Sequence, residues 1–162
     1  MIAGICATAA LVGVIAISWP SMRAEGPQQP IDFSHRAHYV ADNLDCEYCH
    51  STARRAALAG VPALERCMGC HRFVATAHPD VAKLTRYWDR RAPIPWVQVS
   101  VVPRFVHFTH EAHVRAKVAC AECHGPVEQM DRVAAAHDLT MGWCLQCHRQ
   151  RRAPVDCLTC HY

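Results

Sequence analysis

Hydrophobic and charged residues are distributed unevenly along this chain. Residues 2–19 contain no charged side chain, and this apolar stretch ends at Trp19 and Pro20. Its length lies at the short end of the range for a membrane-spanning helix, with Trp19 placed for the interface. We therefore predict a transmembrane anchor over 1–19 and a Pro-rich, extended connector over 20–30. Small residues recur at helical spacing in the anchor, which suits packing against another membrane helix: Gly4, Ala7, Ala10 and Gly13.

A cleaved secretory signal is the alternative for the apolar stretch. No basic residue precedes the stretch and no clear small-x-small cleavage site follows it, so the sequence favours an uncleaved anchor. The remaining residues, 31–162, are enough for one domain.

The sequence Cys-x-x-Cys-His occurs five times in this domain and takes up ten of the eleven cysteines. It is the attachment signature of c-type haem, in which two thiols add to the porphyrin vinyl groups and the following His binds the iron. A zinc knuckle or a redox dithiol would not need a His after every second Cys. The predicted attachment residues are Cys46, Cys49, Cys67, Cys70, Cys120, Cys123, Cys144, Cys147, Cys157 and Cys160. The predicted proximal iron ligands are His50, His71, His124, His148 and His161.

Five covalent haem c groups change what the composition implies. So short a chain cannot build an ordinary side-chain core around five macrocycles, so we expect the haems to be the core. The predicted fold is mostly α-helical with much irregular loop. Two propionates per haem offset the formal charge of +3, and nothing indicates a nucleic-acid partner. Because haem is attached outside the bacterial cytoplasmic membrane, we expect the domain on the periplasmic or outer side, held by a single-pass anchor.

The chain contains an internal repeat. Phe33-Ser-His-Arg-Ala-His38 precedes the first motif, and Phe108-Thr-His-Glu-Ala-His113 precedes the third at nearly the same offset. Each of these motifs is followed by another that ends in Cys-His-Arg. The pattern predicts two similar two-haem units, about 31–74 and 106–150, with a fifth haem at 157–161.

A low-spin electron carrier needs a second axial ligand on each iron, usually His or Met. Residues three apart on a helix share a face, so the two His-x-x-His pairs supply four candidate distal ligands: His35, His38, His110 and His113. Met141 and His137 are equal candidates for the fifth. Two lone histidines, His78 and His107, have no assigned role.

The segment between the repeats, Thr85–Pro103, is rich in proline and aromatic residues. Its run Val97–Val102 predicts a short strand. Its aromatic residues have two explanations, packing on haem faces or forming a docking surface, since exposed Trp and Tyr favour interfaces.

These motifs resemble those of known multihaem cytochromes. The Phe-x-His-x-x-His segment ahead of a haem motif looks like the class III multihaem cytochromes. More closely, the chain resembles the pentahaem membrane-anchored cytochrome c subunit of alternative complex III, a bacterial quinol:acceptor oxidoreductase. The resemblance is carried by residues 33–50, 67–71, 93–96, 108–127 and 139–144.

The resemblance implies five haems in a chain and one transmembrane helix. It implies as partners integral membrane quinol-binding subunits, an iron–sulfur subunit, membrane lipid, and a soluble cupredoxin, a cytochrome c or a terminal oxidase as acceptor. It assigns His35 to the first site and His110 to the third, and it favours Met141 over His137. It leaves the order of His38, His113 and Met141 among the second, fourth and fifth sites open.

The leading expectation is a non-catalytic subunit that passes electrons from quinol oxidation to a periplasmic acceptor. A membrane-anchored quinol dehydrogenase that oxidises quinol itself is the alternative. A multihaem reductase for nitrite or a similar oxyanion is disfavoured, because it needs an iron with an open position and this chain has spare histidines.

Overall fold

The structure, a computed structural model, describes residues 26–162. The predicted anchor and the first part of the connector lie outside the described residues. Within 26–162 the secondary structure is helical, with irregular loops between short elements. The α-helices are α1 (Cys46–Cys49), α2 (Leu64–His71), α3 (Pro79–Asp89), α4 (His110–Arg115), α5 (Cys120–His124) and α6 (Met141–Arg151). A π-helical turn covers Ala37–Ala41, and 3-10 turns cover Val127–Gln129 and Cys157–Thr159. The prediction of a helical chain with irregular loops is confirmed.

The predicted strand over Val97–Val102 is wrong, since residues 26–162 contain no strand and this segment is irregular. Pro95 and Pro103 border it and cannot donate hydrogen bonds to a neighbouring strand. The main chain of Val97 pairs instead with one side chain. It donates to Gln29 Oε1 at 2.9 Å and accepts from Gln29 Nε2 at 2.9 Å.

Local capping explains where several helices begin. The Asp45 carboxylate accepts a hydrogen bond from the Tyr48 N–H at 2.8 Å, and the Thr140 hydroxyl accepts one from the Trp143 N–H at 3.3 Å. Both contacts satisfy an N–H group that the helix itself leaves unpaired. Among the described helices, none has the combination of length and apolar sequence that a membrane crossing requires.

The side-chain core is small and lies beside the second motif. Ile31, Met68 and Leu84 are buried together, where α2 meets α3 and the end of the connector. Half-buried side chains pack around them: Leu64, Cys67, Tyr87, Trp88, Ile94 and Trp96. The aromatic residues of the inter-repeat segment therefore cover this cluster. In the described part of the chain, the other buried hydrophobic residues are Ala53 and Val81 alone, which suits a fold whose main core is a cofactor.

Polar side chains also join the two repeats. The Asp131 carboxylate accepts hydrogen bonds from the Ser34 hydroxyl at 2.7 Å and from Arg36 Nε at 3.3 Å. These partners, Ser34 first and then Arg36, hold the pKa of the Asp131 carboxyl below its ordinary value. A second pair, Arg132 and Asp32, lies 3.1 Å apart nearby.

Gly26 lies where the connector touches the second repeat. A β-carbon at this position would come within 1.6 Å of the Val133 carbonyl oxygen, so no other residue fits without moving the backbone. The connector is therefore held against the second repeat at Gly26 and against the inter-repeat segment at Gln29.

Candidate haem-binding sites

Each Cys-x-x-Cys-His motif lies on a helical turn. Cys46 and Cys120 are the first residues of α1 and α5, and Cys157 begins a 3-10 turn. Cys67 and Cys144 lie in the first turns of α2 and α6. Two cysteines three residues apart on a helix project from the same side, as attachment to one macrocycle requires. Among the described residues, none of the ten motif cysteines forms a disulfide.

Four of the five motif histidines are oriented by a main-chain carbonyl. The contact in each case joins Nδ1 to a carbonyl oxygen: His50 to Gly60 (2.6 Å), His71 to Val74 (3.2 Å), His148 to Pro154 (2.6 Å) and His161 to Phe105 (3.0 Å). A hydrogen bond at Nδ1 fixes the ring and leaves Nε2 for a metal. The side chains are therefore arranged as proximal ligands need to be.

Gly60 shows how the loop after the first motif serves this purpose. Its φ of 69° lies in the left-handed region, which glycine enters at little cost. This conformation occurs at the carbonyl that contacts His50, so the turn and the orientation of the imidazole depend on the same residue.

The two His-x-x-His segments are built alike around one phenylalanine. Phe33 meets His35 edge-on at 4.8 Å and stacks on His38 at 4.3 Å between ring centroids. Phe108 meets His110 edge-on at 4.8 Å and packs against His113 at 4.6 Å. The phenylalanine of each segment thus holds two imidazoles at once.

Carbonyl contacts orient three of these four imidazoles as well. His38 Nδ1 lies 2.8 Å from the Ser34 oxygen, and His113 Nδ1 lies 2.8 Å from the Thr109 oxygen, each within its own segment. His110 Nδ1 lies 2.8 Å from the oxygen of Ala57 in the other repeat.

Three of the four upstream histidines face a motif histidine. The ring centroids are 6.0 Å apart for His38 and His71, 6.2 Å for His110 and His124, and 6.0 Å for His113 and His148. Two metal–nitrogen bonds of about 2 Å, plus the depth of each ring, place the centroids of two axial imidazoles about 6 Å apart. The spacing fits six-coordinate haem iron between each pair.

His35 is the exception among the upstream histidines. The pKa of its imidazole is lowered to about 4, chiefly by burial and then by the neighbouring His50 and His38. His35 thus lies close to the motif histidine of the first site. Its Nδ1 is buried without a hydrogen-bond partner among residues 26–162, whereas the equivalent His110 has the Ala57 carbonyl.

Among the described residues, no imidazole lies opposite His161. The ring that stacks on His161 is that of Phe105, at 5.9 Å between ring centroids. Met141 begins α6, one turn before Cys144, and is 67% exposed. The alternative candidate, His137, stacks on Trp143 at 5.1 Å.

The two histidines without a predicted role have structural contacts. His78 is the N-cap of α3, where its Nδ1 accepts from the Asp80 N–H at 3.2 Å. The His107 ring stacks on Tyr162 at 4.2 Å, and the main-chain N–H of His107 donates to the Cys160 carbonyl at 2.8 Å.

Sequence reasoning located the histidines but missed what orients them. Phe33 and Phe108 were visible as part of the repeat, and their recurrence beside each His pair was the signal of a shared role. The carbonyl partners, such as Gly60 and Pro154, carry no sequence signal, because any residue has a carbonyl group.

Comparison with known proteins gives one informative likeness, while no family model matches the chain. The chain is 30% identical over 118 residues to a protein of Nitratidesulfovibrio vulgaris named menaquinone reductase, multiheme cytochrome c subunit. The match covers 70% of this chain and 55% of that protein, so the chain spans about half the length of the relative. The likeness supports a multihaem cytochrome c, and it does not extend specifically to alternative complex III.

Proposed function

We propose that this chain is the electron-transfer subunit of a membrane-bound quinol:acceptor oxidoreductase resembling alternative complex III. It holds five haem c groups, is anchored in the bacterial cytoplasmic membrane by residues 1–19, and exposes residues 31–162 on the periplasmic side. Integral membrane quinol-binding subunits and an iron–sulfur subunit are its partners. A cupredoxin, a cytochrome c or a terminal oxidase takes up the electrons.

One observation carries the proposal. Three imidazole pairs, each made of one motif histidine and one His-x-x-His histidine, stand at the spacing of two axial ligands. We assign His38 to the second site, His110 to the third and His113 to the fourth, and this spacing supports the assignment. We assign His35 to the first site because it adjoins His50. We assign Met141 to the fifth site because it lies one turn from Cys144, whose thiol interacts with Cys160 of that site.

Haem c, when bound, supplies reversible one-electron chemistry at its iron. The protein supplies the remainder. Carbonyl contacts at Nδ1 fix the imidazoles, and the two phenylalanines hold them in place, so little reorganisation accompanies a change of oxidation state. With two protein ligands held for each iron, no open position would remain for a substrate, which supports a carrier over a reductase.

The similar protein is named for the reduction of menaquinone, and this favours a second candidate with the same parts. In that case electrons run through the chain toward a quinone instead of away from a quinol. The midpoint potentials of the haems relative to the quinone couple decide between the two directions. A thioether ligand at Met141 would raise one potential and favour an exit to a periplasmic acceptor.

A mass measurement on the mature chain is the first test of the proposal. The mass should equal that of the reduced polypeptide plus five haems, because each thiol adds to a vinyl group without loss of atoms. The ferric protein should then show only low-spin signals in electron paramagnetic resonance (EPR). His113→Ala should convert about one haem in five to high spin. His78→Ala is the matched control, because His78 caps a helix and faces no motif histidine, and it should leave the spectrum unchanged. An unchanged spectrum in His113→Ala would contradict the ligand assignment.

Purification in mild detergent tests the setting of the subunit. We expect co-purification with integral membrane subunits, and no quinol oxidation by the chain alone. Oxidation of quinol by the isolated chain would establish the alternative, a quinol dehydrogenase that needs no catalytic partner.

A further inference from the structure

The two repeats contact each other through equivalent main-chain groups. The Arg36 N–H donates to the Met130 oxygen at 3.1 Å, and the Glu111 N–H donates to the Ala56 oxygen at 3.2 Å. Arg36 and Glu111 hold the same place in Phe-[Ser/Thr]-His-x-Ala-His. Their acceptors both lie in the loop that separates the two motifs of the opposite repeat. Such reciprocal contacts are those of an approximate two-fold axis between the repeats.

The first and third motifs meet at this axis. The side chains of Cys46 and Cys120 lie within hydrogen-bonding distance of each other. These are the first cysteines of the first and third motifs, so equivalent residues are in contact across the axis. His124 likewise interacts with His50, the equivalent histidine of the first motif.

The second motif adjoins the first. The Cys67 thiol interacts with Cys49. The Arg66 guanidinium, one residue before the second motif, stacks over the ring of Tyr48, which lies inside the first, at 5.0 Å. Beyond the second motif come α3 and the small core.

The fourth motif stands in the corresponding position beside the third. The Cys123 thiol interacts with Cys147, and two hydrogen bonds of 2.7 and 2.6 Å join Arg151, at the end of α6, to Glu122. The fifth motif adjoins the fourth, since Cys144 lies close to Cys160.

We infer that the five sites follow one another in space in the order second, first, third, fourth, fifth, and not in the order of the sequence. The first site is therefore internal and joins the repeats, and the ends of the chain of sites are the second and the fifth. If the proposed electron-transfer role is correct, the donor docks at one of these two ends and the acceptor at the other. The second site lies beside α3, and the fifth lies at the C-terminus.

Iron positions in the haem-loaded chain test the order directly and do not depend on its physiological role. In an electron cryomicroscopy structure of the detergent-solubilised chain, the iron of the third site should lie closer to the iron of the first site than to the iron of the second. The order is overturned if the iron of the second site lies closer to that of the third than the iron of the first site does. Five irons arranged in sequence order would overturn this inference and leave the proposed function intact.

A pair of variants gives an independent solution test. His35→Met and His38→Met make the same chemical change three residues apart, and each should raise one haem potential. A haem that is reduced early lowers the midpoints of its neighbours by Coulomb repulsion between the added electrons. In a redox titration followed by EPR, His35→Met should lower two other midpoints and His38→Met only one.

The sequence order predicts the reverse result, because the first site would then be terminal and the second internal. Mass measurement should show five haems in both variants before the titrations are compared. One shifted neighbour in His35→Met and two in His38→Met would refute the inferred order.

Discussion

Phe108 is the side chain whose removal should separate ligand orientation from ligand identity. Its ring contacts His110 at 4.8 Å and His113 at 4.6 Å, and we place these imidazoles at the third and fourth sites. An aromatic pair contributes about 0.5–1.5 kcal/mol beyond the area it buries, so two contacts are worth about 1–3 kcal/mol. Because each imidazole has one of these two contacts, we expect Phe108→Ala to weaken the hold on each imidazole by about 0.5–1.5 kcal/mol.

The consequence for spin state follows from that magnitude. Each 1.4 kcal/mol changes an equilibrium about tenfold, so the fraction of detached distal ligand should rise by about two- to tenfold at each of the two sites. EPR of the ferric protein should show a new high-spin signal from up to two haems. If detachment of the ligand is an equilibrium, the high-spin fraction should fall on cooling. Phe33→Ala should affect the first and second sites in the same way.

Phe108→Leu is the control for volume, because it keeps an apolar side chain and loses only the ring. We expect a high-spin fraction between that of the unchanged chain and that of Phe108→Ala. An unchanged low-spin spectrum in Phe108→Ala, with five haems by mass, would refute the claim that this phenylalanine positions the two histidines.

Three further predictions concern the small core, the contact between repeats and the fifth site. Leu84→Ala should lower the free energy of unfolding by about 2–5 kcal/mol, measured by denaturant titration, because Leu84 is buried in the cluster beside the second site. The Ser34 hydroxyl and then Arg36 lower the pKa of the Asp131 carboxyl, so the carboxylate stabilises the fold above the ordinary carboxyl pKa of about 3.9. That stabilisation should fade as the pH falls through the lowered pKa, and in Asp131→Asn unfolding measurements should show a weaker dependence on pH in this acidic range. Met141→His should lower the potential of one haem and leave the other four nearly unchanged, and a titration that does not move would remove Met141 from the ligand set.

The covalent chemistry made much of the site predictable from the sequence. Attachment of two thiols and one imidazole to a macrocycle fixes the spacing of each motif, and this spacing is local, so helical turns at Cys46 or Cys120 follow from the sequence alone. The same holds for the repeated His-x-x-His segments, because their geometry extends over a single turn.

Contacts between distant segments could not be predicted in this way. The partner of His38 is His71 and that of His113 is His148, and these pairings depend on how each loop folds back. The Val97–Val102 strand was predicted from local propensity, but residues 26–162 offer no neighbouring strand to pair with it. The membrane anchor lies outside the described residues and stays a prediction.

Among the described residues, the buried Nδ1 of His35 has no hydrogen-bond partner, and this affects how the two copies of a duplicated segment can diverge in function. An imidazole whose Nδ1–H reaches an acceptor donates more electron density through Nε2, and this favours the ferric state of a bound iron. His110 has such an acceptor, whereas His35 has none among the residues that the structure describes. A single missing carbonyl contact would thus make the first haem a stronger oxidant than its copy in the other half, and give two halves of nearly the same sequence unequal electron affinities.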